Sequence, residues 1–248
     1  PDAPITYDEL VGAAQSATTG NTVGANLEQG FLFSAAHLDG MGGMLMERNG
    51  DPAFNNAKGI QWLGLLGSFE VAGPTHYDTD HDLDLFRANR AGIIIEGTWN
   101  AEVLANAIGA ENLVIDRWPS LGEDNGRLSG YVQAENIYLS ASAQDDDRRA
   151  TWEFMQYLLS PGAQTTLSEA GRIPALATAD VSDPLLAQAM NALADGTPLP
   201  VLPEMDAYWE PMNVALRSVL EDGADPAKAL QEAFDSISST IIETRAGQ

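Results

Sequence analysis

Apolar residues near the end of the chain fall at Leu230, Phe234, Ile237 and Ile241, spacings of four, three and four that place them on one face of a helix packed on a core. Three pairs punctuate the second half. Ser160-Pro161, Asp183-Pro184 and Asp225-Pro226 each set a capping side chain before a proline at the first helical position, so each predicts a helix start. Near the N-terminus, Thr6 with Glu9 three residues later makes a capping-box pattern. Helical spacing over Phe54 to Leu66 turns Ile60, Leu63 and Leu66 inward, and another helix is predicted from Asp82 to Asn89. Asp145 is predicted to cap a helix on which Trp152, Met155 and Leu159 share a face.

Extended segments are fewer. Asn26 to Phe33 reads as an aromatic-rich extended run, followed by a helix to His37 and a glycine turn from Gly40 to Gly43. Ile93-Ile94-Ile95 forms a strand, Asn100 caps a short helix that Gly109 closes, and Leu113 to Ile115 forms a further strand. Glu135 to Ser140 alternates weakly as one more. Pro119 to Gly122 makes a turn, Gly196 to Pro203 a proline-rich connection, and no internal repeat is present.

Composition narrows the function classes. The 248 residues hold 36 acidic against 12 basic side chains, a formal charge of −24, and Lys58 and Lys228 are the lysines. Nucleic acid and anionic membrane surfaces would repel such a field, so neither is expected as a partner. A solubilising surface explains the charge, as does a saline habitat. No cysteine is present, which excludes disulfides and thiolate metal sites. No apolar run approaches the ~18 residues of a membrane helix. Pro1-Asp2-Ala3-Pro4 carries neither a methionine nor a signal pattern, so a soluble, processed or trimmed product is expected.

The most informative stretch is Ala91 to Ser140, where an Ile-rich strand delivers Gly97-Thr98-Trp99 at its carboxyl end, the place where open α/β sheets put their ligand sites. Apolar strand, Gly-x-Trp, short helix, second short strand, Trp118-Pro119 and a glycine-bearing loop follow one another in the order seen in the family 1 extracellular solute-binding proteins of bacterial sugar transporters, the maltose-binding-protein-like family. Pro4 to Leu10 resembles that family's Pro-x-Thr-aromatic-x-Glu segment, Tyr157 to Ser160 and Gly171 to Pro174 resemble its crossover stretch, and Pro203 to Trp209 resembles its late tryptophan-bearing helix. The likeness covers essentially the whole chain.

What the resemblance implies is an α/β chain of the periplasmic-binding-protein type II fold, consisting of the C-terminal lobe plus part of the N-terminal lobe. Residues 1–129 and 175–248 would form the second lobe, and 130–174 would belong to the first lobe and the hinge crossover. Roughly a hundred N-terminal residues, about one small domain, would be missing. A strand at Glu135 to Ser140 would then expose an unpaired edge, so self-association through that edge is expected. The parent would trap a sugar or oligosaccharide between two lobes and present it to the membrane permease of an ABC transporter, outside the cell or in the periplasm, with a lipid anchor on the missing N-terminus as one option.

By the same resemblance, Trp99 and Trp209 are the stacking platform, and Gln29 and Phe31 stand where that family's maltose binders carry an acidic residue and a tyrosine. Gln29 keeps hydrogen-bonding ability without charge, Phe31 loses the hydroxyl, and Glu210 offers a carboxylate to a sugar hydroxyl. Sugar recognition needs aromatic faces and planar polar groups rather than shifted pKa values or a cofactor. Trp62, Trp118 and Trp152 are assigned to core packing.

The acidic run Asp78 to Asp84 lacks the sixth-position glycine and twelfth-position glutamate of an EF-hand, which makes it a solvated helix entry. His76 and His81 lack zinc-protease spacing, His37 is isolated, and no metal is assigned. Two alternatives stay open. A carbohydrate-active hydrolase would use Glu96 and Glu102, which flank Trp99, as paired carboxyls ~5 to 10 Å apart. A non-catalytic protein-interaction module would use the acidic surface and the exposed edge.

Overall fold

The computed structural model describes residues 5–76, 79–122 and 126–247. In chain order the elements are α1 (Tyr7–Ala17), β1 (Val23–Glu28), α2 (Phe31–Gly40), α3 (Ala57–Ser68), β2 (Thr75–His76), α4 (Thr79–Arg87), β3 (Ala91–Ile94) and α5 (Ala101–Ile108). They continue with β4 (Tyr131–Val132), α6 (Asp145–Leu158), α7 (Pro161–Glu169), α8 (Pro184–Leu193), β5 (Thr197–Pro198), α9 (Trp209–Leu220) and α10 (Pro226–Ala246). Two compact units share them, the first made of Pro1–Glu96, Arg117–Val132 and Asp195–Gln248, the second of Gly97–Asp116 and Gln133–Ala194.

The first unit is built on a parallel sheet of order β2-β1-β3, with Ala25 opposite Ile93 and Leu27 opposite Thr75. Parallel strands need helical crossovers, and α2, α3 and α4 supply them. Gly24 is required where α1 crosses β1, because a Cβ there would run into the Ala14 carbonyl. The capping box forms as predicted: Glu9 N–H donates to Thr6 Oγ1, and the Glu9 carboxylate accepts from Thr6 N–H. Ser160, Asp183 and Asp225 cap α7, α8 and α10 in the predicted way, each ahead of its proline.

Helix α3 packs on α2, α9 and α10. Leu63 and Leu66 are buried as expected, but Ile60 is 41% exposed, and Gly59 and Trp62 face inward instead. Trp62 is wholly buried, its indole N–H donating to the Ser34 carbonyl at 2.9 Å. On α10, Leu230, Ile237 and Ile241 are buried and Phe234 is partly buried against the same core. Parallel strands β4 and β5 pair Tyr131 with Thr197 and Val132 with Pro198, placing a strand inside the predicted 196–203 connection.

Two predicted strands do not form. Leu113 to Ile115 is extended but joins no ladder, since the Ile115 N–H donates to the Gln188 side chain of α8 at 2.8 Å. Glu135 to Ser140 is irregular, with Ile137 and Tyr138 exposed and no strand alongside, so the edge expected to drive self-association is not made. Two caps also differ. Asn100 stands at the α5 N-cap position without bonding a helix amide, and the α6 N-cap is Gln144, with Asp145 as the first helical residue. Trp152 is 53% exposed rather than in a core, because no residue of α6 is buried. Of the acidic run, Asp78 lies outside the described residues, and Asp82 is buried rather than solvated.

His37 is buried in the first unit, where its Nδ1 accepts from Ser129 N–H at 3.1 Å and its ring meets Trp118 edge-on at 5.0 Å. Burial pushes its pKa down to about 4, whereas burial of Asp39 pushes that carboxyl up to about 6. The two oppose each other. Between 6.5 and about 4 the unfolded His37 holds a proton that the native one does not, so its contribution to stability falls as pH drops. Between about 6 and 3.8 the native Asp39 holds a proton that the unfolded one does not, so its contribution rises as pH drops. Asp39→Asn should therefore melt above the parent at pH 7 and lose that advantage toward pH 4; the same difference in melting temperature at both pH values would contradict this assignment.

Candidate functional site

The site begins where β1 ends. Glu28 closes the central strand, and its Oε1 accepts the Gly30 N–H at 2.5 Å, folding the chain into α2 immediately after the sheet. Sites in parallel α/β folds lie at this carboxyl end. Gly30 is the α2 N-cap and Phe31 the first helical residue, 1% exposed, so the strand-to-helix junction holds its phenyl ring at the edge of the core.

Trp209 opens α9, after a 3-10 turn over Pro203–Ala207. Phe31 and Trp209 meet edge to face, with ring centroids 5.2 Å apart and an interplanar angle of 81°. In that arrangement the positive edge of one ring points at the negative face of the other. Trp209 remains partly exposed, and the Phe31 N–H donates to Asn213 Oδ1 at 3.2 Å.

Gln29 is only 3% exposed, and its Nε2 donates to the Leu66 carbonyl of α3 at 2.6 Å. Its amide is thus engaged in tying β1 to the end of α3. Glu210 is exposed and lines a groove between α9 and α10 with Pro211, Val214, Ala229, Glu232 and Ala233. Of the five predicted residues, Phe31 and Trp209 are brought into contact, Gln29 lies beside them in sequence but is turned to the core, and Glu210 belongs to that groove.

Trp99 sits in the second unit, in the 3-10 turn Thr98–Asn100. It is 57% exposed, and its indole lies back over Gly97, where a Cβ would come 2.2 Å from the ring. A side chain at position 97 would require the indole to swing away. Of the carboxylates weighed for hydrolysis, Glu96 lies two residues past β3, at the end of the first unit's first chain segment, and Glu102 is exposed on α5. Among the described residues no three His, Asp or Glu side chains group closely enough to hold a metal ion, and no helix is long and apolar enough to cross a membrane.

Residues 1–192 match the model of the bacterial extracellular solute-binding proteins. The chain belongs to this family. The chain is 24% identical to a galactooligosaccharide-binding protein of Bacillus subtilis, over all of this chain and 62% of that relative's length. Among solved structures it resembles a Staphylococcus aureus extracellular solute-binding protein in complex with maltose, at a TM-score of 0.84 and 22% identity over 98% of this chain and 66% of the other. It also resembles the maltose/maltodextrin-binding domain of Bdellovibrio bacteriovorus bound to maltotriose, at 0.79 and 22%, over 97% and 67%. The fold is therefore that of the periplasmic solute-binding proteins, and the chain spans about two thirds of its relatives. Trp209 lies past the matched 1–192.

Sequence reasoning missed Glu28 and Asn213. The signal for Asn213 was its place one helical turn after Trp209. Gln29→Glu would set a carboxylate oxygen against the Leu66 carbonyl in place of a donor. It should cost about 1–3 kcal/mol at pH 7 and regain stability on acidification, when the carboxyl can donate again. Urea melts at pH 7 and pH 5 read this directly, and an unchanged midpoint would show that the amide makes no contribution.

Proposed function

We propose that this chain is the larger part of the substrate-binding component of a bacterial ABC importer, taking a sugar or oligosaccharide between two lobes and delivering it to a membrane permease. The observation that carries the reading is the Phe31–Trp209 corner at the carboxyl end of β1, in a chain that folds like solute-binding proteins solved with maltose and maltotriose. An indole face pinned by a neighbouring ring suits stacking on the C–H surface of a pyranose. Trp99, on the second unit, and Gln29 and Glu210, on the first, are the further residues assigned to ligand by the family resemblance.

Residues 1–129 and 175–248 are assigned to the second lobe and 130–174 to the first lobe and hinge crossover, a division that differs from the two compact units, in which 97–116 and 133–194 fall together. Support comes from α6, which buries none of its residues and leaves Trp152, Phe154 and Tyr157 exposed. Binding without bond cleavage is the chemistry proposed, since no relative described above is an enzyme by name. An exported location goes with the family, and anchoring by a lipid on a preceding segment is part of the same proposal.

Tryptophan fluorescence of this chain, titrated with maltotriose and with a galactooligosaccharide while NMR follows the sugar, tests the reading. A saturable change is expected, weakened roughly tenfold or more in Trp209→Ala, with the sugar unaltered. Cleaved sugar would make the protein a hydrolase. No response from a cooperatively melting chain would remove the stacking corner as a sugar site.

A further inference from the structure

Helix α2 starts without a capping side chain of its own, because its N-cap is Gly30. The neighbouring amides are accounted for: Gly30 N–H donates to Glu28 Oε1, and Phe33 and Ser34 N–H donate to the Gly30 carbonyl. The Phe31 N–H is served from 182 residues away, by Asn213 Oδ1 at 3.2 Å. Asn213 lies four residues after Trp209 on α9, so both project from one helix face. One residue, Phe31, is thus held at its backbone by Asn213 and at its ring by Trp209.

We propose that Asn213 is a positioning residue: it caps α2 across the tertiary fold and so fixes Phe31 edge-on to Trp209, setting the pitch of the indole. Its consequence for affinity rests on the sugar-binding reading; the capping and the ring geometry do not. The chemistry asks for an acceptor at this point and has no use for the amide donor. An aspartate would satisfy it, since a carboxylate at the start of a ten-residue helix also meets the positive end of the dipole. Leucine, of the same branched shape though larger, removes the acceptor.

Three readouts on the whole chain test this for Asn213→Asp and Asn213→Leu: NMR hydrogen exchange of the Phe31 amide, the near-UV circular dichroism of Trp209 taken as the difference from Trp209→Phe, and maltotriose affinity. Asn213→Asp should match the parent in exchange and dichroism. Asn213→Leu should exchange the Phe31 amide roughly five- to tenfold faster, flatten the Trp209 signal and weaken maltotriose by a similar factor. Should the leucine variant fail to fold, Asn213→Ala is read in the same way. Parent-like exchange or dichroism in the variant without an acceptor, or an aspartate variant that behaves like leucine, overturns the proposal. Parent-like affinity alongside altered dichroism overturns its consequence for the site. A parent that ignores maltotriose sinks the sugar reading, while exchange and dichroism still decide the role of Asn213.

Discussion

Burial of Trp62 is the contact on which the first unit depends. Three short parallel strands cannot stand alone in water, so the sheet needs helices sealed against it. Trp62 joins α3 to α2 through the Ser34 carbonyl and sits in one core with Leu38, Leu66, Tyr208, Met212 and Leu230. Emptying such a position costs about 3–5 kcal/mol, a large part of a domain's net stability. The Phe31–Trp209 corner is an extension of that core. Phe31 belongs to it, Gln29 braces β1 against the end of α3, and Trp209 packs on it from the edge.

The second unit is organised differently. Buried Gln164 on α7 accepts from Ala175 N–H at 2.7 Å and Leu176 N–H at 3.3 Å, while its Nε2 donates to the Leu158 carbonyl at 2.8 Å. One amide therefore joins the end of α6, the body of α7 and the segment beyond it. Next to that brace, α6 leaves Trp152, Phe154 and Tyr157 exposed on more than one side of the helix.

The few cations serve as clips. Arg117 and Arg127 both reach Asp195, at 3.2 and 2.5 Å, and Arg245 near the end of α10 grips Asp51, Glu204 and the Asn49 carbonyl. Hydrogen bonds from Arg245 and Asn49 hold the Asp51 carboxyl below its ordinary range. Surface pairs of this kind contribute about 0–1 kcal/mol each, so their use is to fix chain segments far apart in sequence rather than to carry the fold.

Helix starts were legible because their chemistry is local: Thr6 with Glu9, and Ser160, Asp183 and Asp225 ahead of proline, satisfy amides two or three residues on. The family and its fold were legible from the order of short segments, and the inward stripe of α10 from its spacing. Strands were legible only in part: Ile93 and Ile94 lie in β3 as predicted, but a run such as Leu113 to Ile115 becomes a strand only if a ladder partner exists, and here its amide goes to Gln188. The candidate site divides along the same line. Tryptophans at 99 and 209 could be picked out by residue type and context, but the turning of Gln29 into the core, the meeting of Phe31 with Trp209 and the cap from Asn213 join residues distant in the chain. The sequence by itself determined the helix starts at Tyr7, Pro161, Pro184 and Pro226 and the apolar stripe of α10, since these depend on neighbours within about a turn. Tertiary structure alone decided which aromatic pairs, which amide is spent and which helix end is capped from afar, because such contacts depend on where the folded chain brings distant residues together.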